Sequence, residues 1–181
     1  MMDLTSLHSD DTPSSISKFV GKVNTLQSVY PDCPLPASIC VFSNFAAEVC
    51  RLRCSSEVHT TVVSACFPTA QSFIEVKTLE CTMAVRSGAD EVDIVLPLNS
   101  FLDGRAEEAG KEIMVIGAAV RAERKDVILK VILETGILAS DFLIRDASFL
   151  AMESGADFIK TSTGKTAVSA TPRAAETMCG C

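Results

Sequence analysis

Short strand-like runs and amphipathic runs take turns along the whole of this 181-residue chain. That alternation limits the fold more than any other feature. Strand-like runs read at Asp3–Leu7, Ala37–Phe42, Thr60–Cys66, Glu91–Leu96, Val127–Leu133 and Phe158–Ser162. Helix-like runs read at Ser15–Val29, Asn44–Arg53, Ser72–Ser87, Ala106–Ala122, Ser140–Ser154 and from Thr171 onward. In the first helix Ile16, Phe19, Val20, Val23 and Leu26 recur at helical steps. Ile74 and Leu79 mark the inner face of the third. Asn44 and Thr171 are candidate N-caps, with Pro172 as a first helical residue. Gly88 and Gly155 follow helix ends, where a left-handed residue is wanted.

Strands alternating with helices make a parallel sheet with helices packed outside it. The strands are short apolar runs, which suits burial on both faces. Strand centres near residues 5, 40, 62, 93, 130 and 159 lie about 31 residues apart. An eight-unit barrel of roughly 250 residues has the same rhythm. The expectation is α/β: a TIM (β/α) barrel with about six of eight βα units, as one partial domain over 1–181. A six-stranded doubly wound sheet has the same element order and competes with it.

Charge removes several function classes. Sixteen Lys and Arg against 23 Asp and Glu leave a formal net charge of −7. No basic cluster is present to neutralise phosphates, so no nucleic-acid partner is expected. No apolar stretch is long enough to span a bilayer. The acidic start lacks the apolar core of a secretory signal, so a cytoplasmic location is expected. The eight cysteines then read as reduced thiols. Cys50 with Cys54, and Cys179 with Cys181, lack a second ligand pair, and neither His8 nor His59 completes one, so no metal is expected.

Three ionisable residues interrupt the apolar strands. Ser87-Gly88-Ala89-Asp90-Glu91-Val92-Asp93 echoes Ser154-Gly155-Ala156-Asp157-Phe158-Ile159-Lys160. Asp93 and Lys160 each lie five residues after their glycine. Alternate barrel strands feed one interior layer, so the two side chains should face each other inside. Lys130 interrupts the fifth strand. A desolvated lysine beside another cation loses its proton readily, and its free amine attacks carbonyls to form a Schiff base. A neighbouring aspartate can carry protons for it, and a structural ion pair is the plainer reading of the same residues. Gly164-Lys165-Thr166 fails as a Walker A loop, because Ile159 stands where that motif needs its first glycine. Its amides and the Lys165 charge still suit a phosphate. Cys40 reads as packing, and His8 and His59 carry no legible role.

Together these segments resemble the deoxyribose-phosphate aldolases. The resemblance rests on Asp3-Leu4-Thr5, Ala37-Ser38-Ile39-Cys40-Val41, Gly88-Ala89-Asp90-Glu91-Val92-Asp93-Ile94-Val95 and Leu129-Lys130-Val131-Ile132-Leu133-Glu134-Thr135-Gly136. It is strongest in Phe158-Ile159-Lys160-Thr161-Ser162-Thr163-Gly164-Lys165 with Ala170-Thr171-Pro172. It implies a TIM barrel and a class I lyase that needs no cofactor. The implied reaction cleaves 2-deoxy-D-ribose 5-phosphate to D-glyceraldehyde 3-phosphate and acetaldehyde, in deoxynucleoside breakdown.

By motif match Lys160 is then the Schiff-base lysine and Asp93 the proton-relay carboxylate. Lys130 is the neighbouring lysine, and Gly164 and Lys165 touch the phosphate. Asp3, Thr5, Cys40 and Thr163 line the pocket. The expected partner is a phosphorylated sugar, and a homo-oligomer is open. The family's leading helix, its Gly-Phe-Lys-Pro-Ala-Gly-Gly strand and its last Gly/Ser loop have no counterpart here. The resemblance thus implies a chain truncated at both ends, whose turnover is poor or absent. Ser43 and Cys66 are smaller departures, standing where many members have Pro and Gly.

Overall fold

The computed structural model describes residues 2–181. Six strands form one sheet in the order β1-β2-β3-β4-β5-β6. They are Asp3–Thr5, Ser38–Phe42, His59–Val63, Glu91–Val95, Ile128–Ile132 and Phe158–Lys160. Every neighbouring pair is parallel. A doubly wound sheet reverses its winding at a switch point. Strictly sequential order removes that alternative and leaves an arc of a barrel, with β1 and β6 as its edges among the described residues.

The strands bury both faces, but the faces differ. Ile39, Val41, Val62, Val92, Ile94, Leu129 and Val131 point outward into one core with the helices. The residues between them point inward: Ser38, Cys40, Thr61, Glu91, Asp93, Lys130. All six are buried. The apolar face holds the helices on, and the polar face gathers buried ionisable side chains. No helix among the described residues is long and apolar enough to cross a membrane, and all eight cysteines are free.

The helices are α1 (Pro13–Asn24), α2 (Leu26–Val29), α3 (Ala46–Leu52), α4 (Ile74–Arg86), α5 (Leu98–Leu102), α6 (Ala106–Glu123), α7 (Thr135–Leu138), α8 (Asp141–Glu153) and α9 (Pro172–Cys179). α1 starts with a Thr12/Ser15 capping box and Pro13, and buries Ile16, Val20 and Val23. The expected single helix to Val29 breaks at Thr25. Its hydroxyl donates to the Gly21 carbonyl at 3.1 Å and to that of Lys22 at 3.3 Å, competing with continuation of the helix.

Asn44 caps nothing, because a 3₁₀ turn over Ser43–Phe45 precedes α3. Leu79 is 56% exposed; α4 instead turns Cys81, Ala84 and Val85 inward. Thr171 does cap α9, accepting from the Ala174 N–H at 3.1 Å. Gly88 and Gly155 are left-handed, with φ of 101° and 91°. The short helices α5 and α7 occupy loops that carried no periodic signal.

Leu129 is fully buried between sheet and helices. Leu129→Ala should lower the unfolding free energy by about 2–5 kcal/mol, as a cavity in a packed core does. Urea denaturation measures it.

Candidate active site

Strand geometry explains why Asp93 and Lys160 meet. In register, Asp93 is level with Lys130, and Lys130 with Phe158. An eight-stranded barrel of shear eight climbs about one residue per strand. Two strands on, the residue at the height of Asp93 is therefore displaced by two from Phe158, and that residue is Lys160. The Lys160 ammonium bonds Asp93 Oδ2 and lies 3.3 Å from Asp3 Oδ2.

Lys130 is buried one layer below. Its ammonium reaches Asp3 Oδ2 at 2.8 Å, bonds Glu91 Oε2, and lies 4.0 Å from Asp93 Oδ1. Glu91 also accepts from Thr61 Oγ1 and pairs with His59 Nδ1 at 2.6 Å. Three carboxylates thus surround two ammonium groups. Asp3, on the first strand, meets lysines from the fifth and sixth.

These neighbours set the proton affinities. Burial alone would free the Lys160 proton, but the Asp93 carboxylate, with Cys40 and Asp3 behind it, raises Lys160 well above an ordinary lysine. Burial raises Asp93, and Lys160 and Lys130 only partly offset it. The pair therefore holds one proton firmly, on Lys160 beside the Asp93 carboxylate. The sequence predicts a lysine loosened by a neighbouring cation; the structure instead pairs Lys130 with Asp3 and Glu91 and sets Asp93 and Asp3 against Lys160. Burial, then Asp93, pushes the Cys40 thiol up to about 12. Burial opposes the lowering of Asp3 and Glu91, but hydrogen bonds and charge from Lys130 bring both below their ordinary values.

A cavity of about 490 Å³ opens over this cluster. Asp3, Thr5, Cys40, Asp93, Lys130, Lys160, Thr163 and Gly164 all line it. Lys165 does not. Its side chain crosses to the Leu7 carbonyl, and its stem lines a neighbouring cavity of about 400 Å³. Sequence reasoning missed Glu91 and His59. The available signal was the two-residue step from Glu91 to Asp93, which places both on one strand face.

A sequence model of the DeoC/LacD family aldolases matches residues 1–181. The chain belongs to that family. Among solved structures it is similar to the aldolase QR15, with 27% identity and a TM-score of 0.85. The match covers 99% of this chain and 74% of QR15. A candidate deoxyribose-phosphate aldolase from Coccidioides immitis is 28% identical with a TM-score of 0.84. There the match covers 98% of this chain and 64% of the other, so the chain spans less than two thirds of that relative's length. The tetrameric deoxyribose phosphate aldolase of Aeropyrum pernix, 23% identical with a TM-score of 0.82, shares the fold. This DeoC/LacD family member is therefore a TIM-type aldolase chain of six βα units.

Two measurements check the electrostatics. At pH 8, iodoacetamide should label the exposed Cys54, Cys179 and Cys181 and spare Cys40 and Cys81, whose thiols burial holds at about 12. Mass mapping reads the sites. Asp3 and Glu91 titrate lower in the folded chain than their unfolded values of 3.8 and 4.5. Their stabilisation is therefore complete above those values and drains as pH falls below them. Lys130→Met should cost roughly 3–5 kcal/mol at pH 7, as breaking a buried pair does. It should also flatten the loss of unfolding free energy between pH 5 and about 3.

Proposed function

We propose that this family member catalyses the reversible cleavage of 2-deoxy-D-ribose 5-phosphate to D-glyceraldehyde 3-phosphate and acetaldehyde. The observation that carries the reading is the Lys160–Asp93 pair on the wall of a cavity rimmed by Gly164. In this reading the Lys160 amine, once deprotonated, attacks the C1 aldehyde of the open-chain sugar. Loss of water gives an iminium. A base takes the proton of the C3 hydroxyl, the C2–C3 bond breaks, and its electron pair flows into the iminium to form an enamine. D-Glyceraldehyde 3-phosphate leaves. Protonation at C2 and hydrolysis release acetaldehyde and restore the amine.

Asp93 is the proton carrier. One oxygen bonds Lys160, while Oδ1 has no hydrogen-bond partner among the described residues. Lys130 holds Asp3 and Glu91 in place and helps set the field at Lys160. Thr5, Cys40 and Thr163 shape the pocket, and Gly164 with Lys165 meets the phosphate. Lys165 swings from the Leu7 carbonyl to do so. The reaction places the protein in deoxyribonucleotide and carbohydrate catabolism in the cytoplasm. A homo-oligomer fits the tetrameric neighbour.

A slow enzyme is the second reading, and one observation favours it. Asp93 and Asp3 hold Lys160 protonated, so the attacking amine is scarce at neutral pH. Retro-aldol turnover of these 181 residues should then fall well below that of a longer relative.

Incubation with acetaldehyde and borohydride, followed by peptide mass mapping, tests the assignment. One reduced adduct is expected, at Lys160, and none in Lys160→Arg. Adducts scattered over exposed lysines would refute it.

A further inference from the structure

Glu134 carries two costs at one position. It lies two residues after β5, at the start of α7, with left-handed backbone, φ 56° and ψ 59°. Such a conformation costs a non-glycine residue about 1–2 kcal/mol. Its carboxylate is also buried, at 1% exposure, and makes no ion pair among the described residues. Burying a charge without a counter-charge is expensive. Backbone strain of this kind persists where the surroundings over-determine it, and it gathers at functional sites.

What surrounds Glu134 is the loop after Lys160. Both of its oxygens accept from the Thr163 N–H, at 3.3 Å each. It also accepts from the Thr163 hydroxyl, and from the Thr166 hydroxyl at 3.2 Å. Thr163 Oγ1 in turn accepts the Lys165 N–H at 3.0 Å. That direction is fixed, because the hydroxyl proton is spent on Glu134. Two backbone bonds continue the mould: Leu133 N–H to the Lys160 carbonyl and Thr135 N–H to that of Thr161, both 2.8 Å. A Cβ on Gly136 would lie 2.2 Å from the Val168 carbonyl oxygen, so only glycine lets the loop close there.

We propose that Glu134 is a positioning residue for the loop that presents Gly164 and the Lys165 ammonium to a phosphomonoester. It occupies the Thr163 N–H and hydroxyl and, through Thr163, the Lys165 N–H, and it shares the Thr166 hydroxyl with the Val168 carbonyl. That holds the loop in one shape, with Gly164 on the cavity wall and the Lys165 side chain directed across the rim. A carboxylate suits this task better than an amide. It offers acceptors on both oxygens, whereas glutamine must aim an NH₂ at a donor. The proposal rests on the reading that this loop takes the substrate phosphate.

The test uses inorganic phosphate as the probe and acylation of Lys165 by acetic anhydride as the readout, mapped by mass spectrometry. Phosphate should slow Lys165 acylation in the wild-type chain. Glu134→Gln should need at least tenfold more phosphate for the same protection, with trapping of acetaldehyde at Lys160 changed less than twofold. Should Glu134→Gln fail to fold, Thr166→Val removes the hydroxyl that Glu134 shares with the Val168 carbonyl and should require about threefold more phosphate. Equal protection in variant and wild type overturns the proposal. So does absence of protection in the wild type, or a parallel loss of Lys160 trapping. Wild-type chain that is protected by phosphate yet forms no imine refutes the aldolase reading and leaves the phosphate-presenting loop standing.

Discussion

Three carboxylates and two ammonium groups share the concave side of this sheet, and Lys130 is the group that keeps them there. Its ammonium touches Asp3 from the first strand and Glu91 from the fourth, and lies 4.0 Å from Asp93. Each carboxylate would be costly to bury alone. Removing Lys130 would leave two of them without their main partner. The same contacts tie the first strand to the fifth through side chains, since no backbone pairing joins β1 to β6 among the described residues. Asp3 accepts from Lys160 as well, so the two sheet edges are linked across the interior.

That arrangement sets the chemistry. Lys130 is paired with Glu91 and shares Asp3 with Lys160, whose nearest carboxylates are Asp93 and Asp3. Both favour the ammonium form, and they outweigh the burial that would release the proton. The pair is therefore a store for one proton more than a source of free amine. In the proposed reaction a substrate carbonyl must compete with Asp93 for Lys160, and the carboxylate must take or pass on the proton as the amine is used.

Much of this could be read from residues alone. The repeated Ser-Gly-Ala-Asp segment placed Asp93 and Lys160 at one height, because glycine stops and strand starts are local signals and barrel shear is regular. The inward polar face was harder to see. Glu91 lies in a run that reads as a strand start, and its partner His59 lies 32 residues away in sequence, so only strand pairing joins them. Thr25 broke a helix whose apolar spacing was sound, through a hydroxyl bond that periodicity does not encode. Leu79 is apolar yet exposed, since α4 rolls its small residues onto the sheet. The sign of the Lys160 shift was also out of reach. It depends on which carboxylates claim Lys130, a matter of three dimensions. Lys165 is the clearest case of a motif residue placed off the cavity wall, because its long side chain finds the Leu7 carbonyl instead.

Everything proposed for Lys160 turns on Asp93 and Asp3 keeping it protonated at neutral pH. The direct measurement is the rate of imine trapping at Lys160 with acetaldehyde and borohydride between pH 7 and about 10, read by peptide mass. A rate that climbs about tenfold per pH unit across that range, with no plateau, is the result the account predicts. A rate already flat at pH 7 would mean a free amine at Lys160 and would contradict it.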